Sequence, residues 1–161
     1  MITEIHVKRM NLILILKVII CFRNFILFHF LICAFVYIFL VLFSKSIMAN
    51  SFFFIYGNFI LSFVLHELGH LITYLILTKC KHCFLIKSKL FEISILTVES
   101  TCLNNVLVAF SGPALCFFVG IIILKWSFPI ALVYCMHVIN LYPAFQDGEN
   151  IVQNLIRRKN R

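Results

Sequence analysis

Four stretches of this chain, residues 25–43, 51–78, 105–124 and 128–145, are apolar almost without interruption. A helix rising 1.5 Å per residue needs about 20 apolar residues to cross the hydrocarbon of a bilayer. Each stretch is therefore a candidate span, the last being short and ending at Pro143. An earlier run, 11–22, is too short to span and carries Lys17, with Arg23 just beyond it, so it reads as an interfacial helix. Composition agrees, with 63% hydrophobic and 12% charged residues among 161, where soluble domains have about 45–50% and about 25%. In lipid, backbone polar groups must be satisfied within the chain. The expected fold is an all-α multi-pass membrane protein with about four transmembrane helices.

The formal charge of +8 is topogenic rather than a nucleic-acid signal. Lys8, Arg9, Lys17 and Arg23 precede the first span, Lys79, Lys81, Lys87 and Lys89 follow the second, and Arg157, Arg158, Lys159 and Arg161 follow the fourth. Only Lys45 and Lys125 fall in the other loops. By the positive-inside rule both termini are cytoplasmic, and a bacterial cell membrane is the expected location. The bilayer is the first partner, and no nucleic-acid partner is expected. Lys8 and Arg9 before an apolar run mimic a signal peptide, but the run to Phe43 far exceeds an h-region of about 7–15 residues, so the segment is expected to be retained. The seven cysteines are odd in number and follow no disulfide spacing.

Residues 84–100, FLIKSKLFEISILTVES, differ from the spans. They are rich in Ile, Leu, Val, Thr and Phe and partly alternate, which reads as a small β hairpin with a turn near 87–89. An amphipathic interfacial helix is the other reading.

The second span contains HELGH, residues 66–70. His66 and His70 are four apart, so a helix places both imidazoles on one face, while Glu67 stands beside the first as a candidate general base. This is the H-E-x-x-H pattern of zinc hydrolases, in which zinc lowers the pKa of bound water toward about 7. Charged groups at mid-membrane cost about 2.5–3.5 kcal/mol on insertion scales, which favours a metal over plain packing. A catalytic zinc takes three protein ligands. The remaining acidic residues are Glu4, Glu92, Glu99, Asp147 and Glu149. Asp147 follows Pro143, which breaks the helix, and precedes Gly148, which permits a tight turn back toward the metal; a plain surface loop is an equal reading of that stretch. Gly112 and Pro113 interrupt the third span and are explicable by packing. The CKHC of residues 80–83 is read as surface cysteines, and His29 and His137 as histidines hydrogen-bonded within the bundle, His137 sharing a face with Asn140.

HELGH (66–70), SGP (111–113) and NLYPAFQDG (140–148), in this order and within hydrophobic helices, resemble the site-2 protease family of intramembrane zinc metalloproteases over about residues 50–150. The resemblance implies one Zn2+ per chain held by His66, His70 and Asp147, with Glu67 as general base. Asn140, Pro143 and Gly148, with Gly112 and Pro113, would shape the site. The interval from Asn140 to Asp147 is one residue shorter than the family's, and Ala114 stands where the family has an asparagine after Gly-Pro.

The domain organisation expected is an N-terminal interfacial segment and first span (1–50), a site-2-protease-like catalytic core (51–150) and a basic cytoplasmic tail (151–161). The expected function is zinc-dependent cleavage of a membrane-embedded or membrane-associated peptide. The alternatives are a zinc-binding membrane transporter or sensor, and an inactive relative acting as a partner protein.

Overall fold

The computed structural model describes residues 2–5, 12–78, 84–88, 93–97 and 101–159. Among them lie helices α1 (Leu12–Cys21), α2 (Arg23–Leu42), α3 (Ser46–Leu77), α4 (Cys102–Ile123), α5 (Phe128–Cys135) and α6 (Gln146–Lys159), with a 3-10 helix Met136–Leu141 continuing α5. Strands β1 (Ile2–Ile5), β2 (Phe84–Ser88) and β3 (Ile93–Thr97) form one antiparallel sheet in that order. The fold is all-α and multi-pass with a small β element between the HExxH helix and the next span, as the sequence implies.

Four segments are long and apolar enough to cross a membrane, namely Arg23–Leu42, Ser46–Leu77, Cys102–Ile123 and Phe128–Lys159. Their outward faces carry large apolar side chains such as Phe35, Leu42, Phe54, Leu61, Ile76, Phe118 and Ile122, as lipid requires. The fourth segment is composite. Its apolar part is α5 with the 3-10 helix, whereas α6 is amphipathic and carries Asp147, Glu149, Arg157, Arg158 and Lys159. Helix α1, only ten residues long, packs Leu14 and Val18 into a cluster with Phe22, Phe25, Tyr74, Phe84 and Ile86. This cluster welds the sheet to the second half of α3.

Local chemistry fixes the joints. Ser44 adopts φ 56°, and Ser44 N–H and Lys45 N–H donate back to the carbonyls of Val41 and Leu40. This left-handed cap ends α2 and folds α3 against it. Thr101 caps α4 by accepting from Asn104 N–H at 3.3 Å. Tyr142 is extended (φ −69°, ψ 138°), as a residue before proline must be. Phe145 N–H then donates to the Tyr142 carbonyl at 2.9 Å, closing a turn with Pro143 second in it.

Two details of the β element differ from expectation. Lys87 and Ser88 extend β2 instead of forming the turn, because their backbone pairs with Ser94 and Ile93 of β3; residues 89–92 lie outside the described set. The hairpin also gains a third strand, since Ile2–Ile5, expected as tail, pairs with the outer edge of β2. An edge strand exposes a row of unmade hydrogen bonds, and a nearby Ile-Thr-Glu-Ile stretch of β-forming residues satisfies it. Lys79 and the CKHC of 80–83 also lie outside the described residues.

Helices α3 and α4 meet at glycines. A Cβ on Gly69 would lie 2.9 Å from both Gly112 Cα and the Ser111 carbonyl oxygen. A Cβ on Gly57, in the same helix, would meet nothing within 4 Å. Gly69→Ala is therefore expected to destabilise the bundle by about 1–3 kcal/mol through overpacking. Gly57→Ala should be neutral or stabilising by up to about 1 kcal/mol through helix propensity. Thermal unfolding of the two variants in detergent checks this, and equal melting temperatures would refute the close glycine contact.

Candidate metal centre

Helix α3 carries His66 and His70 inward on one face, and both are buried. The break at Tyr142–Phe145 turns the chain so that Asp147, in the first turn of α6, points back at them. His66 Nε2 lies 3.1 Å from Asp147 Oδ2, His70 Nε2 lies 3.4 Å from Asp147 Oδ1, and the two Nε2 atoms are 3.1 Å apart. Ligands at about 2.0–2.1 Å from a tetrahedral zinc stand about 3.3 Å apart. The three residues thus converge at the separations that a metal ion bridges, and they could hold one. The shorter Asn140–Asp147 interval does not prevent this.

The tautomer of His70 follows from its partner. Nδ1–H donates to the Val108 carbonyl at 2.7 Å, which leaves the Nε2 lone pair facing the cluster. That bond needs α4 close by. A Cβ on Gly112 would lie 2.5 Å from His70 Nε2 and 2.8 Å from the His66 carbonyl oxygen, so only glycine fits beneath the pair. Ser111 Oγ bonds the Val108 and Gly69 carbonyls at 2.6 and 3.1 Å, tying the two helices at the same level. Pro113 is fully buried behind them.

Glu67 is positioned by the sheet. Its Oε2 accepts from Ile95 N–H at 2.8 Å, which holds the carboxylate at the wall of a cavity of about 470 Å³. His66, His70, Asp147, Ser94 and Asn140 also line this cavity. Pro143 acts at a distance, through the turn that delivers α6. Gly148 has a role other than the one expected. It lies within α6 without positive φ, so it makes no tight turn. Instead, a Cβ there would collide with the Tyr142 carbonyl group, so glycine lets α6 start directly under the preceding turn.

Some positioning residues escape the motif-based reading. Asn105 Nδ2 donates to Asn154 Oδ1 at 3.1 Å, and Asn154 Nδ2 to the Asn150 carbonyl at 2.8 Å. These amides dock α6 on α4 and so fix the depth of Asp147. The Asn104–Asn105 pair at the start of a mainly apolar helix was the available signal. Farther along α3, His137 Nε2 lies 3.0 Å from Ser62 Oγ, and Tyr134 OH donates to Asn58 Oδ1 at 3.3 Å. Asn58, Ser62, His66 and His70 are spaced four apart, a polar stripe that the apolar run hides. His29 bonds the Phe25 carbonyl of its own helix at 2.9 Å, as expected of a bundle histidine.

Among protein-family models, curated proteins and solved structures, none matches this chain.

Metal binding should depend on all three ligands and on the glycine beneath them. Asp147→Ala and His66→Ala are each expected to bind less metal per chain than the wild type after dialysis at limiting zinc. Gly112→Ala should do the same without removing a ligand, because its methyl would occupy space beside His70 Nε2. Elemental analysis of the purified variants reads the outcome, and full metal in Asp147→Ala would exclude that carboxylate.

Proposed function

We propose that this protein is an intramembrane zinc metalloendopeptidase acting on a membrane-embedded or membrane-associated peptide. The observation that supports this most is the placement of Glu67. A metal-capable His66–His70–Asp147 triad alone would suit storage or transport. A carboxylate next to it, oriented by a backbone N–H at a cavity wall, is what hydrolysis needs in addition.

Zinc bound to the triad would supply Lewis-acid polarisation of the scissile carbonyl and acidify a water molecule. Glu67 would accept a proton from the attacking water and return it to the leaving amine. Asp147 and the Val108 carbonyl would fix the two imidazoles. Asn140, at the cavity wall, would offer an amide to the peptide.

A helical substrate hides its amides and must be drawn out to be cut. Because Ile95 N–H points to Glu67 and not to β2, the odd-numbered backbone groups of β3 face outward. The edge of β3 beside the cavity would therefore hold an unwound peptide by strand addition. With the basic segments taken as cytoplasmic, the cut would fall near that side. His70 is seven residues before the end of α3 at Leu77, or about 10 Å along the helix axis.

The polar stripe Asn58–Ser62–His66–His70 favours a second reading, a metal transporter or sensor. The two readings part at Glu67→Gln. A peptidase should keep its zinc and lose at least about a thousandfold in cleavage of a fluorescently labelled single-span peptide. A transporter should retain zinc flux into liposomes with the same substitution. Unimpaired cleavage by Glu67→Gln would end the peptidase reading. Within that reading, Ile93→Pro removes an outward N–H without touching the β2 ladder. It should slow cleavage of the same peptide at unchanged zinc content, and normal turnover would exclude strand addition.

A further inference from the structure

His66 has two ring nitrogens and the site described above uses one. Nε2 faces His70 and Asp147. Nδ1 is buried and has no hydrogen-bond partner, in a side chain whose residue is 5% exposed. Leaving a buried imidazole nitrogen unsatisfied costs about 1–3 kcal/mol.

Beside His66 stand Cys116 of α4 and His137 of the 3-10 helix, both buried. One ligand atom from each of His66, Cys116 and His137 lies within 4.8 Å of the others. Nitrogen and sulfur ligands around a tetrahedral ion stand about 3.3–3.7 Å apart, so rotation of the side chains by about an ångström closes the set. The rings are already arranged for this. His66 and His137 have centroids 4.8 Å apart and are tilted by 32°, and Phe63 packs edge-on against His137 at 5.0 Å. Cys116 Sγ lies 3.3 Å from the Ser62 carbonyl, and the Ser62 hydroxyl stands 3.0 Å from His137. Ser62 thus holds both side chains in place in the metal-free chain, and the Cys116 S–H bond to its carbonyl is given up when the thiol proton leaves.

We propose that His66, Cys116 and His137 form a second metal site, with His66 shared between the two. One thiolate and two imidazoles make a softer ligand set than two imidazoles and a carboxylate. They suit zinc, cobalt(II) or copper and not magnesium or calcium. Binding forms a metal–sulfur bond and two metal–nitrogen bonds. The Cys116 thiol proton leaves to bulk water. With both sites filled, His66 bridges them through its two nitrogens as an imidazolate, and its ring proton also leaves. No electron is transferred.

The test is titration of the full-length, detergent-purified apoprotein with cobalt(II), followed by its optical spectrum and by the ions bound per chain. A thiolate ligand adds an intense sulfur-to-cobalt charge-transfer band that nitrogen and oxygen ligands do not give. Two ions per chain are expected, with that band. Cys116→Ser and His137→Phe should each reduce the count to one and remove the band. Asp147→Ala should reduce the count to one and keep it. A single ion that carries a Cys116-dependent band would uphold this site and overturn the His66–His70–Asp147 reading instead. A spectrum without the band in the wild-type chain, or a band that survives Cys116→Ser, would overturn the proposal. The wild-type spectrum needs no substitution, so a variant that fails to fold does not remove the test.

Discussion

The contact between Gly69 and Gly112 governs the depth and shape of the centre. Membrane helices gain nothing from hiding apolar faces from one another, since lipid is as apolar as leucine; they associate by close packing and hydrogen bonds. Where these two glycines meet, the backbones of α3 and α4 come within van der Waals reach. Only at that range can His70 Nδ1 reach a carbonyl of the neighbouring helix and Ser111 Oγ span both helices. The imidazole is then held in the tautomer that turns Nε2 to the centre. A methyl group on either glycine would push the helices apart by more than those bonds can stretch.

The carboxylate of the cluster arrives by a different device. Asp147 sits on a helix that no lipid-facing pattern would assign to the bundle, because α6 is polar over most of its length and buries Gly148 and Asn154 where it docks. Pro143 forces Tyr142 into an extended conformation, the chain turns, and α6 runs back along α4 with Asn154 bonded to Asn105. The fourth candidate span is thus an apolar helix joined to an amphipathic one. The join between the halves is what brings a carboxylate to the level of His66 and His70.

The legible part of this architecture is the part written in period and composition. Four apolar runs gave the spans, the short run before them gave α1, and His66, Glu67 and His70 declared themselves by spacing within a helix. Asp147 was legible only as an even choice between a metal ligand and a surface loop until the resemblance favoured the first, because its approach depends on a turn and on helix docking far from it in sequence. Gly148 was legible as a required glycine but not for the right reason: a glycine can be demanded by φ or by proximity, and sequence does not distinguish the two. Strand β1 was hidden for a similar reason. Its pairing partner is some eighty residues away, and a four-residue strand carries too little pattern to announce itself. Cys116 looked like any small buried apolar residue, since what marks it is the company of His66 and His137 from two other elements.

The polar stripe on α3 has a geometry that accounts for this company. At 3.6 residues per turn a step of four residues advances about 400°, so successive positions drift by about 40°. From Asn58 to His70 the stripe therefore winds through about 120°, a third of the helix circumference. Asn58 accordingly meets Tyr134 of α5, Ser62 meets Cys116 of α4 and His137, and His70 meets Val108 of α4 and Asp147 of α6. A stripe that ran straight would face a single neighbour. A winding one visits α5, the 3-10 helix, α4 and α6 in turn, and His66 sits where two of these sectors overlap, close to Cys116 and His137 as well as to His70 and Asp147. Across the helix from the stripe Val64 and Leu71 pack into the apolar cluster, while Leu61 faces outward. One long helix can in this way remain compatible with lipid on one side while carrying every buried histidine of the centre, except His137, on the other.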